Sequence, residues 1–290
     1  MKNLRNTNPY AEVNWSNTPR VTTSTHMHCL NQETLNSFIS QGLELAAISN
    51  SYPSMPYYPL SSMRENTVRV RQPGYVKDGI WHTDVLNYNE AIAPWCSELP
   101  KASRTQLPFR EGKRLFPNVP EGLLEIPNAE HHYFSDASIY LHVTAPGATL
   151  SSSMFDLKKE FALAEHGYDF GVRLPWRESF QKLYDSLLTP DGGGIVIAHP
   201  SWSHHPISYL EMLLDSDPRI LGIEVFNNCS RIDYSDVSED LWDAILSSGR
   251  QCFGFFVVDH PRPNRNWLGR IVLLPEERTA ESCLRAMRRG

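Results

Sequence analysis

Seven short apolar runs, most of them rich in β-branched residues and each passing at once into polar residues, constrain this chain more than anything else in it. They are VTTSTHM at 21–27, LELAAIS at 43–49, LLEIP at 123–127, ASIYLHV at 137–143, GIVIA at 194–198, ILGIEVF at 220–226 and FGFFVV at 253–258. An apolar run of this length reads as a strand buried on both faces, and the polar residue that ends it marks where the strand feeds a surface loop. Helical periodicity fills several of the intervals, at 32–41, 154–165, 177–188, 205–216 and 238–249. Strand and helix in alternation predict an α/β fold with a parallel sheet, either open and doubly wound or closed into a barrel.

The strand ends choose between those two. An open sheet gathers its reactive groups at one switch point, whereas a barrel points the C-terminal end of nearly every strand into a shared mouth. Here the ends carry His26 and His28, then Asn50, then Glu130 with His131 and His132, then His142, His199, Asn227 with Asn228, and Asp259 with His260. Five of the seven ends hold a histidine, although the chain has only 11 histidines in 290 residues. Chance seldom places them so, and a barrel mouth lined with ligands is the expected architecture. The stretch 51–121, rich in Pro, Tyr and Trp, breaks the rhythm after the second run. It is expected as an insertion or lid inside a single domain spanning 1–290.

A hydrophobic content of 41% is enough for a full core, and a formal net charge of −6 argues against nucleic acid or an anionic membrane as the main partner. The five cysteines, at 29, 96, 229, 252 and 283, are scattered and never form a C-x-x-C pair, which disfavours a disulfide framework or a zinc knuckle. No apolar run follows the basic residues of the N-terminus, and no stretch approaches the roughly 20 apolar residues of a membrane span. A cytoplasmic location is expected.

On a strand, His26 and His28 fall on one face, because side chains alternate with period two. Their nitrogens can then converge on one ion, and an imidazole pair suits zinc, manganese or iron better than calcium or magnesium. Backbone groups could equally satisfy such a pair. Glu130 at a strand exit can bridge two ions or orient a water, although NAEHH also reads as a solvated loop. His199 is held at the tip of GIVIA by the Pro200 that follows, and Asp259-His260 closes FGFFVV with a carboxylate and an imidazole. Each alone is more often structural, but seven strand ends with this content make one metal site the better reading. Arg262 and Arg265 suit a phosphate oxygen, and His204 lies where a loop could meet substrate, though surface roles are commoner for all three. Cys29 reads as a small core or supporting residue. No Walker loop, Rossmann fingerprint, G-x-S-x-G elbow or H-E-x-x-H helix occurs.

In their order these elements resemble the polymerase and histidinol phosphatase, or PHP, family of metal-dependent phosphoesterases. The likeness runs from about residue 21 to the end, through H-x-H at His26 and His28, GLELAAISN, the strand-end Glu130, GGGIVIAHP with His199, GIEVFNN and VVDH. The resemblance implies a distorted seven-stranded (β/α) barrel, one to three zinc, manganese or iron ions, and hydrolysis of a small phosphorylated substrate. It implies His26, His28, Glu130, His142, His199, Asp259 and His260 as metal ligands, with Glu130, His199 and Asp259 also serving catalysis. Two departures stand out: Ser49-Asn50-Ser51 replaces the usual T-D-H, and the final D-x-H reads Asp259-His260-Pro261. They leave open an alternative in which the chain binds metal or a phosphorylated ligand without turnover. Hydrolysis of C–N bonds on a similar barrel would normally want a lysine at a strand end, and none of the seven has one.

Overall fold

The structure, a computed structural model, describes residues 10–11, 13–29, 31–49, 60–62, 75–77, 80–82, 114, 116–131, 134–138, 140–149, 175–228, 236–261 and 269–290. The fold is α/β. In chain order its strands are β1 (Val21–Thr23), β2 (Leu45–Ala46), β3 (Tyr75–Lys77), β4 (Ile80–His82), β5 (Leu124–Glu125), β6 (Glu130–His131), β7 (Val143–Thr144), β8 (Ile195–Ile197), β9 (Ile220–Asn227), β10 (Asp236–Val237), β11 (Phe253–Val257) and β12 (Ile271–Leu273). Its described α-helices are α1 (Gln32–Ser40), α2 (Trp176–Asp185), α3 (Ile207–Leu214), α4 (Glu239–Ser247) and α5 (Ala280–Arg289). The helical pattern at 154–165 and most of the segment 51–121 lie outside the described residues.

The helices start where local chemistry starts them. Asn31 caps α1 by accepting from the Thr34 N–H, and Glu33 sits in its first turn while Leu35 and Phe38 are buried. Thr279 caps α5 through the Ser282 N–H, and Arg288 and Arg289 occupy the last turn, where the helix dipole favours cations. Among the described residues no helix is long and apolar enough to cross a membrane.

One sheet runs β12-β1-β2-β5; another runs β10-β9-β8-β7-β6, with β11 also paired to β9. The pairs β1–β2, β2–β5, β8–β9 and β9–β11 are parallel, as alternating strands and helices require. Backbone bonds join the two sheets at two junctions: the Glu130 N–H donates to Ser49 O, while the Val258 and Asp259 N–H groups donate to His26 O. An isolated parallel bridge between Met27 and Asp259 reinforces the second junction. Gly222 permits the close β9–β11 approach, since a Cβ there would collide with the Phe253 carbonyl.

Three expectations need correction. Of the described residues in the run 137–143 only Val143 is in a strand, Val143–Thr144, and the Leu141 N–H donates to Ser138 O across a turn. Its apolar residues Leu141 and Val143 are core residues all the same, but Asp136 and Ser138 give the chain a turn there. Second, β7 runs antiparallel to both β6 and β8, so the sheet is mixed. Third, the first run is a strand only to Thr23, so His26 lies in a bend and not on a continuous strand.

Asn128 fastens the ends of several elements below the polar residues. Its amide donates to Thr25 O at 2.7 Å and Ala47 O at 2.9 Å, and its carbonyl accepts from the Ala145 N–H at 3.1 Å. One buried side chain thus ties backbone groups from three segments together, the Ala145 N–H being shared with Ala129 O at 3.3 Å.

Candidate metal centre

At the ends of these strands, six side chains from five parts of the chain converge. His26 and His28 approach with Nε2 atoms 3.3 Å apart. Glu130 Oε2 lies 3.6 Å from His26 Nε2 and 3.3 Å from His28 Nε2, while Asp259 Oδ1 lies 3.4 Å and 3.3 Å from the same two atoms. Five of the six separations among these four donors therefore fall between 3.3 and 3.6 Å. Nitrogen and oxygen donors bound tetrahedrally at about 2.0–2.2 Å stand about 3.3–3.6 Å apart, whereas neighbouring donors of an octahedral magnesium ion stand about 3.0 Å apart. The donor set fits a tetrahedral transition ion.

Glu130 reaches the remaining ligands with its other oxygen. Oε1 lies 3.0 Å from His142 Nδ1 and 3.5 Å from His199 Nε2, so one carboxylate faces two nitrogen sets, one with each oxygen. Ligand atoms of His26, His28 and Asp259, and again of His26, Glu130 and His199, lie within 4.8 Å of one another.

The tautomers are set from behind. Glu224, fully buried in the middle of β9, accepts from His26 Nδ1 at 2.8 Å, which puts the proton on that nitrogen and leaves the Nε2 lone pair facing the other donors. Ser203 Oγ stands 3.2 Å from His199 Nδ1 and holds the orientation of that ring. The second Glu224 oxygen accepts from the His199 N–H at 2.9 Å and from Asn227 Nδ2 at 2.8 Å, and Asn227 also donates to Asp259 Oδ2 at 3.1 Å. His28 Nδ1, by contrast, is buried without a hydrogen-bond partner among the described residues.

His199 and Asp259 sit at φ of 29° and 59°, in the left-handed region that non-glycine residues seldom occupy. Such strain costs on the order of 1–3 kcal/mol per residue and persists only where surrounding bonds enforce it. At both positions it falls on a candidate ligand. The Glu224 bond to the His199 amide and the bridge from Met27 to Asp259 are the restraints.

Buried charges here compensate one another. Burial alone would lower the His26 pKa, but Asp259, Glu224 and Glu130 outweigh it and hold it well above the usual histidine value. His28 and His199 are raised against the same burial, by hydrogen bonds to Asp259 and Glu130 for the first and to Glu130 for the second. Burial would raise Glu130 and Asp259, yet His26 and the neighbouring imidazoles pull both well below the carboxylate range. A pocket that draws protons onto its histidines in this way also draws a divalent cation. At His131, next along β6 and so on its opposite face, burial outweighs the Glu130 charge and pushes the pKa down to about 3.

Of the residues singled out from sequence, His26, His28, Glu130, His142, His199 and Asp259 are brought together. His260 lies flat on His28, ring centroids 4.0 Å apart and planes 9° apart, with Nε2 3.5 Å from Asp259 Oδ1. His204 is exposed on the loop after β8. Asn50, His132, Arg262 and Arg265 lie outside the described residues. Cys29 is buried, and burial raises its thiol pKa, as suits a core residue. Glu224 was not singled out, although a lone carboxylate inside ILGIEVF is a signal: a charge in a strand buried on both faces must be paired.

The chain matches no protein-family model, and no curated protein matches it in sequence. Among solved structures it is similar to a two-domain protein from Bacteroides vulgatus ATCC 8482 described as containing a predicted PHP-like metal-dependent phosphoesterase. Identity is 15% and the TM-score 0.45, over 93% of this chain and 64% of that one. The chain thus spans a little under two thirds of that protein's length.

Proposed function

We propose that this chain is a metal-dependent hydrolase of small phosphate esters. The observation that carries the reading is Glu130, one carboxylate offering its two oxygens to two histidine sets in a buried pocket. His26, His28, Glu130 and Asp259 would hold one zinc, manganese or iron ion, and Glu130, His142 and His199 a second. Such ions supply a water nucleophile near pH 7 and polarise a phosphoryl oxygen.

The chain's own residues orient that chemistry. Glu224 accepts a hydrogen bond from His26 Nδ1, so that ring presents its Nε2 lone pair to the pocket, and Ser203 orients the His199 ring. His142, at 17% the most exposed of the six, is the member of the second set that solvent reaches most readily. The apolar residues below exclude water, which strengthens each charge interaction within the site.

We read the two sheets together as one distorted (β/α)7 barrel within a single domain. The bonds from the Glu130 N–H to Ser49 O and from the Val258 and Asp259 N–H groups to His26 O support this, since they join the two sheets at two junctions.

The test combines elemental analysis with a phosphate-ester screen in added manganese. Loss of both metal and hydrolysis in H26A and E130A supports the reading; unchanged metal content in both variants overturns it. The stacking of His260 on His28, where a separate ligand is expected, favours the second reading of a metal-binding protein without turnover. Bound metal with no ester hydrolysed would establish that one.

A further inference from the structure

Two aromatic side chains flank the His142–His199 side of the centre, where the ligand set makes no use of them. Trp202 and His199 form a T-shaped pair, with centroids 4.9 Å apart and planes at 83°, and the Trp202 ring centroid is 5.9 Å from that of His142. Tyr140 meets Trp202 edge to face at 5.8 Å and 86°. Tyr140 is 48% exposed and Trp202 partly so.

Both rings are held in place. The Trp202 loop is tied by the Ser203 N–H to His199 O and the His205 N–H to Pro200 O, and Ser201 Oγ bonds Ser238 Oγ at 2.7 Å and Val237 O at 3.1 Å. The Tyr140 turn is closed by Ser138, and the buried His205 imidazole is hydrogen-bonded to the Tyr140 backbone, which ties the two loops together. A rigid aromatic corner offers a large flat face with little rotamer freedom to lose.

We propose that the Tyr140–Trp202 corner is a subsite for a planar ring on the substrate, which makes the preferred substrate a phosphate ester carrying an aryl group or a nucleobase. This rests on the phosphoesterase reading above. With the phosphoryl group at the histidine sets, the ring of such an ester lies against indole and phenol faces, where stacking contributes about 5–150-fold in affinity.

Non-hydrolysable phosphonates test this independently of turnover. Manganese-loaded wild type, W202A, W202F and Y140A are titrated calorimetrically with phenylphosphonate and methylphosphonate, and with adenosine 5′-phosphonate and its ribose counterpart. The expected result is a ring preference of at least about 5-fold in one pair. It falls in W202A and Y140A and is largely kept in W202F. Preference in the first pair identifies an aryl source, and preference in the second a nucleotide. Wild type without preference in either pair, or a preference that neither alanine variant lowers, overturns the subsite. Ring-bearing phosphonates that bind while no phosphate ester is turned over would leave the subsite standing and remove the activity instead. Metal content checks folding, and W202F with Y140A carries the test if W202A loses its metal.

Discussion

Replacing Glu224 with Gln separates charge from shape at the most deeply buried carboxylate of the centre. One Glu224 oxygen faces two fixed donors, the His199 N–H at 2.9 Å and Asn227 Nδ2 at 2.8 Å; the other faces only His26 Nδ1 at 2.8 Å. A glutamine has one oxygen, and the two fixed donors claim it. Its NH₂ then points at His26 Nδ1, and two donors cannot share that line. His26 must move its proton to Nε2, the atom that stands 3.3–3.6 Å from His28, Asp259 and Glu130. The lone pair needed for an ion is gone. Loss of an orienting partner of this kind typically weakens metal binding by 10–100-fold, or about 1.4–2.7 kcal/mol. The metal-free fold keeps all three bonds, the one to His26 reversed in direction, and loses only the paired charge, so its unfolding free energy should fall by only about 1–2 kcal/mol. Competition with a chelator of known zinc affinity reads the first quantity, and urea unfolding of metal-free protein reads the second. An E224Q variant with wild-type zinc affinity would refute the tautomer reasoning. E224L is the contrasting case: three orphaned donors at about 1–3 kcal/mol each threaten a fold of ordinary stability.

Three further outcomes are expected. H142A should lose the weaker class of bound metal in elemental analysis while one equivalent survives dialysis, and H26A should diminish both classes. N128D puts a carboxylate oxygen against Thr25 O and Ala47 O, so the urea midpoint should drop by the equivalent of about 2–6 kcal/mol. Because burial depresses the His131 pKa to about 3, the unfolded chain takes up a proton below about pH 6.5 that the folded chain refuses. Stability therefore falls with pH in that window, and H131Q in metal-free protein should show a shallower slope than wild type, by up to about 1.4 kcal/mol per pH unit. Identical slopes would count against a buried neutral imidazole.

The site was legible because its residues sit at abrupt changes of polarity. His199 after GIVIA and Asp259 after FGFFVV announce themselves as strand ends. Glu130 was readable for the same reason, although its two-faced geometry was not, since a bridging carboxylate looks like any other acid in a sequence. Glu224 hid inside a run that reads as pure core. The strand Ile271–Leu273 was missed because three residues show too little alternation to separate strand from loop. The antiparallel β7 was misread because ASIYLHV has strand composition, while the turn chemistry of Asp136 and Ser138 decides its path.

The junction between the chain's first strand and its late segment has a consequence for synthesis. His26 meets Glu224 across 198 residues, and Ser24 meets Val258 across 234. At about 5–20 residues per second a ribosome needs about 10–40 s to cover the shorter of these distances. For that interval His26 lacks the Glu224 carboxylate that orients it, and both histidines lack Asp259 for longer still. A nascent chain therefore exposes a histidine pair to whatever ions the cell supplies well before Asp259 can complete the set. An ion that the finished centre would hold can be selected only once residue 259 has been made.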